Sequence, residues 1–200
     1  MIIEGNTDYT SRVFRGLNAK TFTVKRSVFD DCSFVDCDFS GALIEDCRFR
    51  DCECQNSNLS VMRWDRSKVI GVDFRHCKIT GVDWTTLDWS SYRLGSPLLF
   101  EWCDISLSVF NSLVLRGLCL RDCTAHEVDF SDCDLEGAEF CRSDFQEARF
   151  SSCRLDRCDF RGATNYVVNP LESSIEKAQF STPEVLTLLN CFNLEIKSVD

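Results

Sequence analysis

From Phe100 to Phe160 every fifth residue is large and apolar, with Ala125 the one lapse. The run is Phe100, Ile105, Phe110, Leu115, Leu120, then Phe130, Leu135, Phe140, Phe145, Phe150, Leu155 and Phe160. A period of five matches neither the helical repeat of about 3.6 nor the strand repeat of 2. It marks a repeat architecture. Two residues before each large residue sits a smaller one, such as Cys103, Ser108, Cys123, Val128, Cys133, Ala138 or Ala163.

An extended backbone turns residues two apart to the same face, so each small and large pair points inward. Two residues remain before the next pair, enough for the centre of a tight turn whose second position favours positive φ. Gly16, Gly41, Gly71, Gly81, Gly117, Gly137 and Gly162 all fall there, with Asp31, Asp36, Asp46, Asp51, Asn56, Asp122 and Asp132. Short sides joined by corners wind into stacked coils around a continuous core. Residues twenty apart match best: Phe100, Leu120, Phe140, Phe160 and Phe180 form one column, and Phe110, Phe130 and Phe150 another. Four sides per coil follow.

These units resemble the A(D/N)LXX repeats of the pentapeptide-repeat family. The resemblance implies an all-β fold, a right-handed quadrilateral parallel β-helix of about eight coils. Residues 12–180 would form it, after a polar lead-in over 1–11. Centres run in phase from Phe14 to Leu94, and the next is Phe100, so the phase slips by one. A bulge or small loop is expected over 92–99, with Arg93, Gly95, Ser96 and Pro97 as its candidate functional residues. Pro97 cannot donate to an inter-coil ladder. Ser181-Thr182-Pro183-Glu184 reads as the start of a short C-terminal α-helix, with a hydroxyl cap and Pro in the first turn. Residues 181–200 are assigned to capping and dimerisation.

Ten of the 14 cysteines occupy the small inward position, where Cys acts as a compact hydrophobe. Their spacings lack the paired signature of zinc sites, so no metal and no cofactor is expected. Unpaired thiols in such number point to a reducing cytoplasm. No signal peptide and no apolar run of about 18 residues is evident, so no membrane partner is expected.

The tail narrows the resemblance. Asn165-Tyr166, Asn169-Pro170, Lys177-Ala178-x-Phe180-Ser181-x-Pro183-Glu184 and Leu188-Leu189 resemble the C-terminus of the topoisomerase-protecting branch, as does Ser96-Pro97-Leu98 before Phe100 and Cys103. That branch holds the quinolone-resistance (Qnr) proteins and the albicidin- and microcin-immunity proteins. The resemblance implies a homodimer joined through its C-termini, here by Phe180, Pro183, Leu186, Leu189, Phe192 and Leu194. It also implies DNA gyrase as partner, at that enzyme's DNA-binding saddle, and topoisomerase IV for some members. Many Qnr proteins carry longer loops that matter for protection; the unbroken phase to Leu94 implies that the first is missing here.

The formal charge is −10 and unevenly placed: residues 1–100 hold 13 basic and 14 acidic side chains, residues 101–200 hold 9 and 18. The side through Ile105, Ala125 and Phe145 would show Asp104, Glu127, Asp144 and Glu147, with no Lys or Arg. Asp122, Asp129 and Asp132 would extend the patch. Eight coils at about 4.8 Å give a rod of roughly 40 Å, and a pair of about 80 Å, the length of roughly 24 base pairs. The chain is therefore read as a duplex mimic that occupies a basic saddle. The alternative is an interaction scaffold unrelated to topoisomerases, since fold alone does not assign function. Catalysis is not expected: His76 and His126 lie in different coils without a nucleophile pattern. Direct nucleic-acid binding is disfavoured by the acidic half.

Overall fold

The computed structural model describes residues 3–91 and 98–194. They wind into a parallel β-solenoid of about eight coils, with one short helix at the C-terminal end. The first side is a run of in-register strands in which Phe14 pairs with Phe34, Phe34 with Cys54, Cys54 with Phe74, Phe74 with Phe100 and Phe100 with Leu120. The second side runs through Phe39, Leu59, Ile79, Ile105, Ala125 and Phe145, the third through Ile44, Trp64, Trp84, Phe110, Phe130 and Phe150. The fourth carries Phe29, Phe49, Val69, Leu115, Leu135 and Leu155. All of these side chains are buried.

Burial follows from the pair pattern, and ring stacking makes it specific. Phe110 lies 5.1 Å from Phe130, and Phe130 5.2 Å from Phe150, with ring planes within 14° of parallel. Such a pile removes each ring from water on every side. On the first side the stack is interrupted. Cys54 stands where its neighbours are Phe34 and Phe74, and a dry cavity of about 40 Å³ remains beside it, lined by Phe29, Phe34, Phe49, Leu59 and Trp64.

Every corner glycine and aspartate predicted to hold positive φ does so, from Asn56 at +48° to Gly162 at +72°. Gly71 shows why: φ is +61°, and a Cβ there would lie 2.8 Å from Asp51 Oδ1. Two kinds of corner occur. In the closed kind, the amide of the next small residue donates back to the preceding centre, as Ala42 to Phe39 at 2.9 Å, Ala138 to Leu135 at 2.9 Å and Ala163 to Phe160 at 3.0 Å. In the open kind the small residue is Cys or Ser and its own side chain serves the corner. The Cys47 thiol donates to the Glu45 carbonyl at 3.3 Å and the Ser57 hydroxyl to the Gln55 carbonyl at 2.7 Å. The freed amides reach one coil on, Cys37 N to Ser57 Oγ at 2.9 Å and Cys123 N to Ser143 Oγ at 3.0 Å. Open corners flank the three-residue strands of the first half, such as Ser33–Val35 and Glu53–Gln55.

Three expectations are corrected. The slip at 92–99 is an insertion of six residues: Cys54 and Phe74 are 20 apart but Phe74 and Phe100 are 26 apart in the ladder. A five-residue period registers an insertion of six as a slip of one. The extra residues fall between Asp88, still in register with Ser67, and Leu98, which pairs with Val72. Phe100 thus takes the column place that the period gave to Leu94; Leu94, Arg93, Gly95, Ser96 and Pro97 lie outside the described residues. The ladder also begins inside the supposed lead-in, because Asp8–Thr10 pairs with Val28–Asp30 and Ile3 is buried against the first coil. Finally, the C-terminal helix is a 3₁₀ helix over Glu184–Phe192, capped by Pro183 without any side-chain hydrogen bond.

Candidate functional site: the acidic side of the second half

Outward positions on the second side alternate with buried ones, so the fold itself sets a row of side chains at coil spacing. Asp104 accepts from Ser106 N at 3.1 Å and Ser106 Oγ at 2.7 Å, a turn bond that fixes its carboxylate against the rod. Asp144 meets His126 Nε2 at 2.8 Å and accepts from Asn165 Nδ2 at 2.7 Å. Partial burial works against its ionised form, but Asn165 and His126 outweigh this and leave its pKa lowered.

The flanking carboxylates differ. Asp122 receives two bonds of 2.7 Å from Arg142, which hold its pKa below the usual range. Asp129 receives Arg149 at 2.8 Å and Ser131 N at 3.0 Å; desolvation opposes ionisation, and these bonds overcome it. The sequence groups both with the unpaired patch, and the structure shows both neutralised by an arginine. The missed signal is simple: in each pair the partners are twenty residues apart, one coil. Asp30 with Arg50 and Asp46 with Arg66 show the same spacing. Once four sides of five are inferred, opposite charges at that spacing should be read as neighbours.

Glu127, Asp132 and Glu147 are exposed and have no ion pair or side-chain hydrogen bond among the described residues. All three occupy corners with positive φ, 56°, 61° and 59°. Glu127 and Glu147 are themselves one coil apart in the same corner, so two like charges stack without an intervening cation. Stacked like charges oppose folding. On the fourth side the signs alternate instead: Arg154 reaches Glu136 and Asp156, each at 3.0 Å, and Arg157 reaches Glu136 at 2.7 Å.

At the C-terminal end Phe180 stacks on Phe160 at 5.2 Å and is half-buried. No residue of the helix is fully buried. Leu188 packs on the core and Leu189 is partly covered. Pro183, Leu186, Phe192 and Leu194 are exposed, leaving an apolar surface at that end.

Twelve of the 14 thiols are buried, and Cys141 and Cys191 are partly exposed. Burial pushes Cys133 and Cys158 up to about 12, which keeps them protonated and unreactive at neutral pH. Among the described residues no His, Cys, Asp and Glu are grouped so as to hold a metal, and no helix is long and apolar enough to cross a membrane. Trp64 and Trp84 lie in the core, Trp89 is partly buried with its indole N–H on the Trp84 carbonyl at 2.9 Å, and Trp102 is exposed.

Two sequence families match: the pentapeptide repeat region over residues 27–106 and pentapeptide repeats (8 copies) over residues 126–162. No curated protein matches the sequence. Among solved structures, full-length QnrB1, described as a plasmid-mediated fluoroquinolone resistance protein, aligns with a TM-score of 0.53 at 16% identity, covering 94% of this chain and all of QnrB1. A trypsin-treated QnrB1 variant aligns with the same score and identity over 96% of this chain and 100% of its own. HetL, a pentapeptide repeat protein involved in heterocyst differentiation regulation in the cyanobacterium Nostoc sp. strain PCC 7120, gives 0.30 at 12% identity, over 88% of this chain and 87% of HetL. At such identities the likeness to QnrB1 is one of fold. With matched repeats on both sides of the insertion and a square coil in register throughout, the chain belongs to the pentapeptide-repeat proteins.

Proposed function

We propose that this protein binds DNA gyrase, at the saddle where that enzyme holds its DNA, and protects it from topoisomerase poisons of the quinolone, albicidin or microcin type. Topoisomerase IV is the natural second target. The carrying observation is the stacked, unpaired Glu127 and Glu147, continued by Asp104 and Asp132. Asp30, Asp46, Asp122 and Asp129 are each paired with an arginine one coil away, whereas Glu127 and Glu147, like Asp31 and Asp51 in the first half, keep like charges stacked on an exposed edge. Spaced negative charge on a rod is what a surface built for duplex phosphates attracts. The match in fold to a fluoroquinolone resistance protein supports the same reading. The role is one of binding, without catalysis, and its setting is the cytoplasm where gyrase works.

The exposed apolar end, with Leu186, Phe192 and Leu194, supports a homodimer joined through the C-termini, which doubles the rod. Replacing both Leu186 and Leu189 by Asp should halve the mass in solution; an unchanged mass would remove that interface.

A supercoiling assay tests the main claim. Gyrase inhibited by a poison should recover activity when the protein is added. Replacing Glu127, Asp132 and Glu147 by Lys should abolish the recovery while circular dichroism stays unchanged. Reversal of Asp122, already held by Arg142, should matter less. Failure to rescue any of the three poison classes would favour the second reading, an interaction scaffold, which the arginine pairing of Asp122 and Asp129 supports.

A further inference from the structure

Of the 25 non-glycine residues with positive φ among the described residues, only Val61, Trp102 and Leu107 carry apolar side chains. Their φ values are 50°, 56° and 63°. The other corners use Asp, Asn, Ser, Thr, Glu, His, Lys or Arg. A bulky apolar residue is poorly suited to that backbone region, and a β-branched one such as Val61 least of all. Nor does burial compensate, since the three are 57%, 59% and 55% exposed. Each is therefore disfavoured twice, by conformation and by solvent.

The three also border one side of the rod, whose outward residues between Trp102 and Leu107 are Asp104 and Ser106. Val61 and Leu107 occupy the corner that follows the second side, two coils apart, with Gly81 between them. A Cβ on Gly81 would stand 3.2 Å from Val61 Cγ1, so Val61 covers the glycine and continues the apolar strip towards Leu107. Trp102 occupies the opposite corner of the same side, in the same coil as Leu107. Its ring lies parallel to His76, 12° apart in plane with centroids at 6.2 Å, which holds it as a fixed plate. The same second side continues from this coil directly into Asp144 and the Glu127 and Glu147 corner.

We propose that Val61, Trp102 and Leu107 form an apolar anchor band that seats the rod on its protein partner, next to the acidic band that steers it there. The partner surface is basic where it meets Glu127 and Glu147 and apolar where it meets Trp102. The proposal rests on gyrase being that partner. Charge brings the rod to the saddle at long range, while buried aromatic and aliphatic anchors slow its departure. Carboxylates beside the band exclude nucleic acid as its occupant.

The deciding variant combines Val61→Asn, Trp102→Asp and Leu107→Asp. Asn and Asp are residues this fold already uses at its corners, so the thermal midpoint should hold or rise. Binding to purified gyrase is measured at low and at high salt. Expected is a loss of at least about tenfold at both, the size of a lost hot spot. Unchanged or tighter binding would overturn the anchor band, because it would mean that negative charge alone suffices. If the midpoint falls, the glycine set, Val61→Gly with Trp102→Gly and Leu107→Gly, relieves the backbone and decides in its place by the same criterion. Wild-type protein that fails to bind gyrase rejects the proposed function and this inference together, whereas wild-type binding without a variant effect rejects the inference alone.

Discussion

The coils before Phe74 and those after Phe100 make the same square in different ways. The earlier coils use three-residue strands and more open corners, in which Cys or Ser side chains carry hydrogen bonds that the backbone has given up, with Ala42 and Met62 closing theirs. The later coils close more of their corners with amide bonds, although Cys123 and Cys153 keep the open kind, and fill the small position more often with Ala, Val or Leu. The rings are stacked without a gap from Trp84 to Phe150 in one region, while the other contains Cys54 and its cavity. A small residue that can donate and accept allows an open corner without imposing one, since Cys133 and Cys158 close theirs on Phe130 and Leu155, each at 3.2 Å.

The largest test of that contrast lies in the core. Phe130→Ala empties a site enclosed by two stacked rings and should cost about 3–5 kcal/mol in urea unfolding. Phe34→Ala, beside an existing void and slightly exposed, should cost less, and an equal or greater loss would mean that the regions are packed alike. Next comes the corner itself. Ser57→Ala strands the buried Cys37 amide and removes a donor from the Gln55 carbonyl, so about 1–3 kcal/mol should be lost. A negligible change would remove the proposed reason for open corners.

Filling the void should act in the other direction. Cys54→Leu supplies volume where about 40 Å³ is empty; at roughly 24 cal/mol per Å³ it should gain about 1 kcal/mol. A loss would indicate that the thiol and its contacts with Cys77 outweigh the cavity.

The smallest effect is one of acidity, in the acidic half. Asp122, Asp129 and Asp144 have lowered pKa values in the folded chain. Their contribution is present above the unfolded value, near 3.8, and is lost as pH falls through the folded values. Stability should therefore decline below about pH 4. Asp122→Asn should flatten part of the decline, and an unchanged slope would assign it to other carboxylates.

Much of this was legible in the residues. The period located both inward positions, the columns and the corners, because burial and positive φ each restrict residue type strongly. Three matters were not legible for physical reasons. An insertion of six is equivalent to a shift of one when position is counted in fives, so only the pairing of Phe74 with Phe100 exposes it. Cys47 and Ser57 look like compact fillers until a carbonyl is seen within reach. The C-terminal segment carries helix signals at Ser181 and Thr182, yet packing against the last coil places its start at Glu184, and neither hydroxyl caps it. Of the candidate acidic site, position was read and net charge was missed, although the twenty-residue spacing of Asp122 with Arg142 and of Asp129 with Arg149 already made them neighbours.

The coil-to-coil ladder has one further consequence. Almost every amide that links coils runs along the long axis, so each coil is secured by the one above and the one below, and only the two terminal coils lack a neighbour. Such a column should melt like a zipper from its tips. Deuterium uptake should then be fast around Val13–Arg15 and Gln179–Phe180 and slowest near Phe110. Pairing two columns tail to tail would leave a single pair of fraying tips for twice the length.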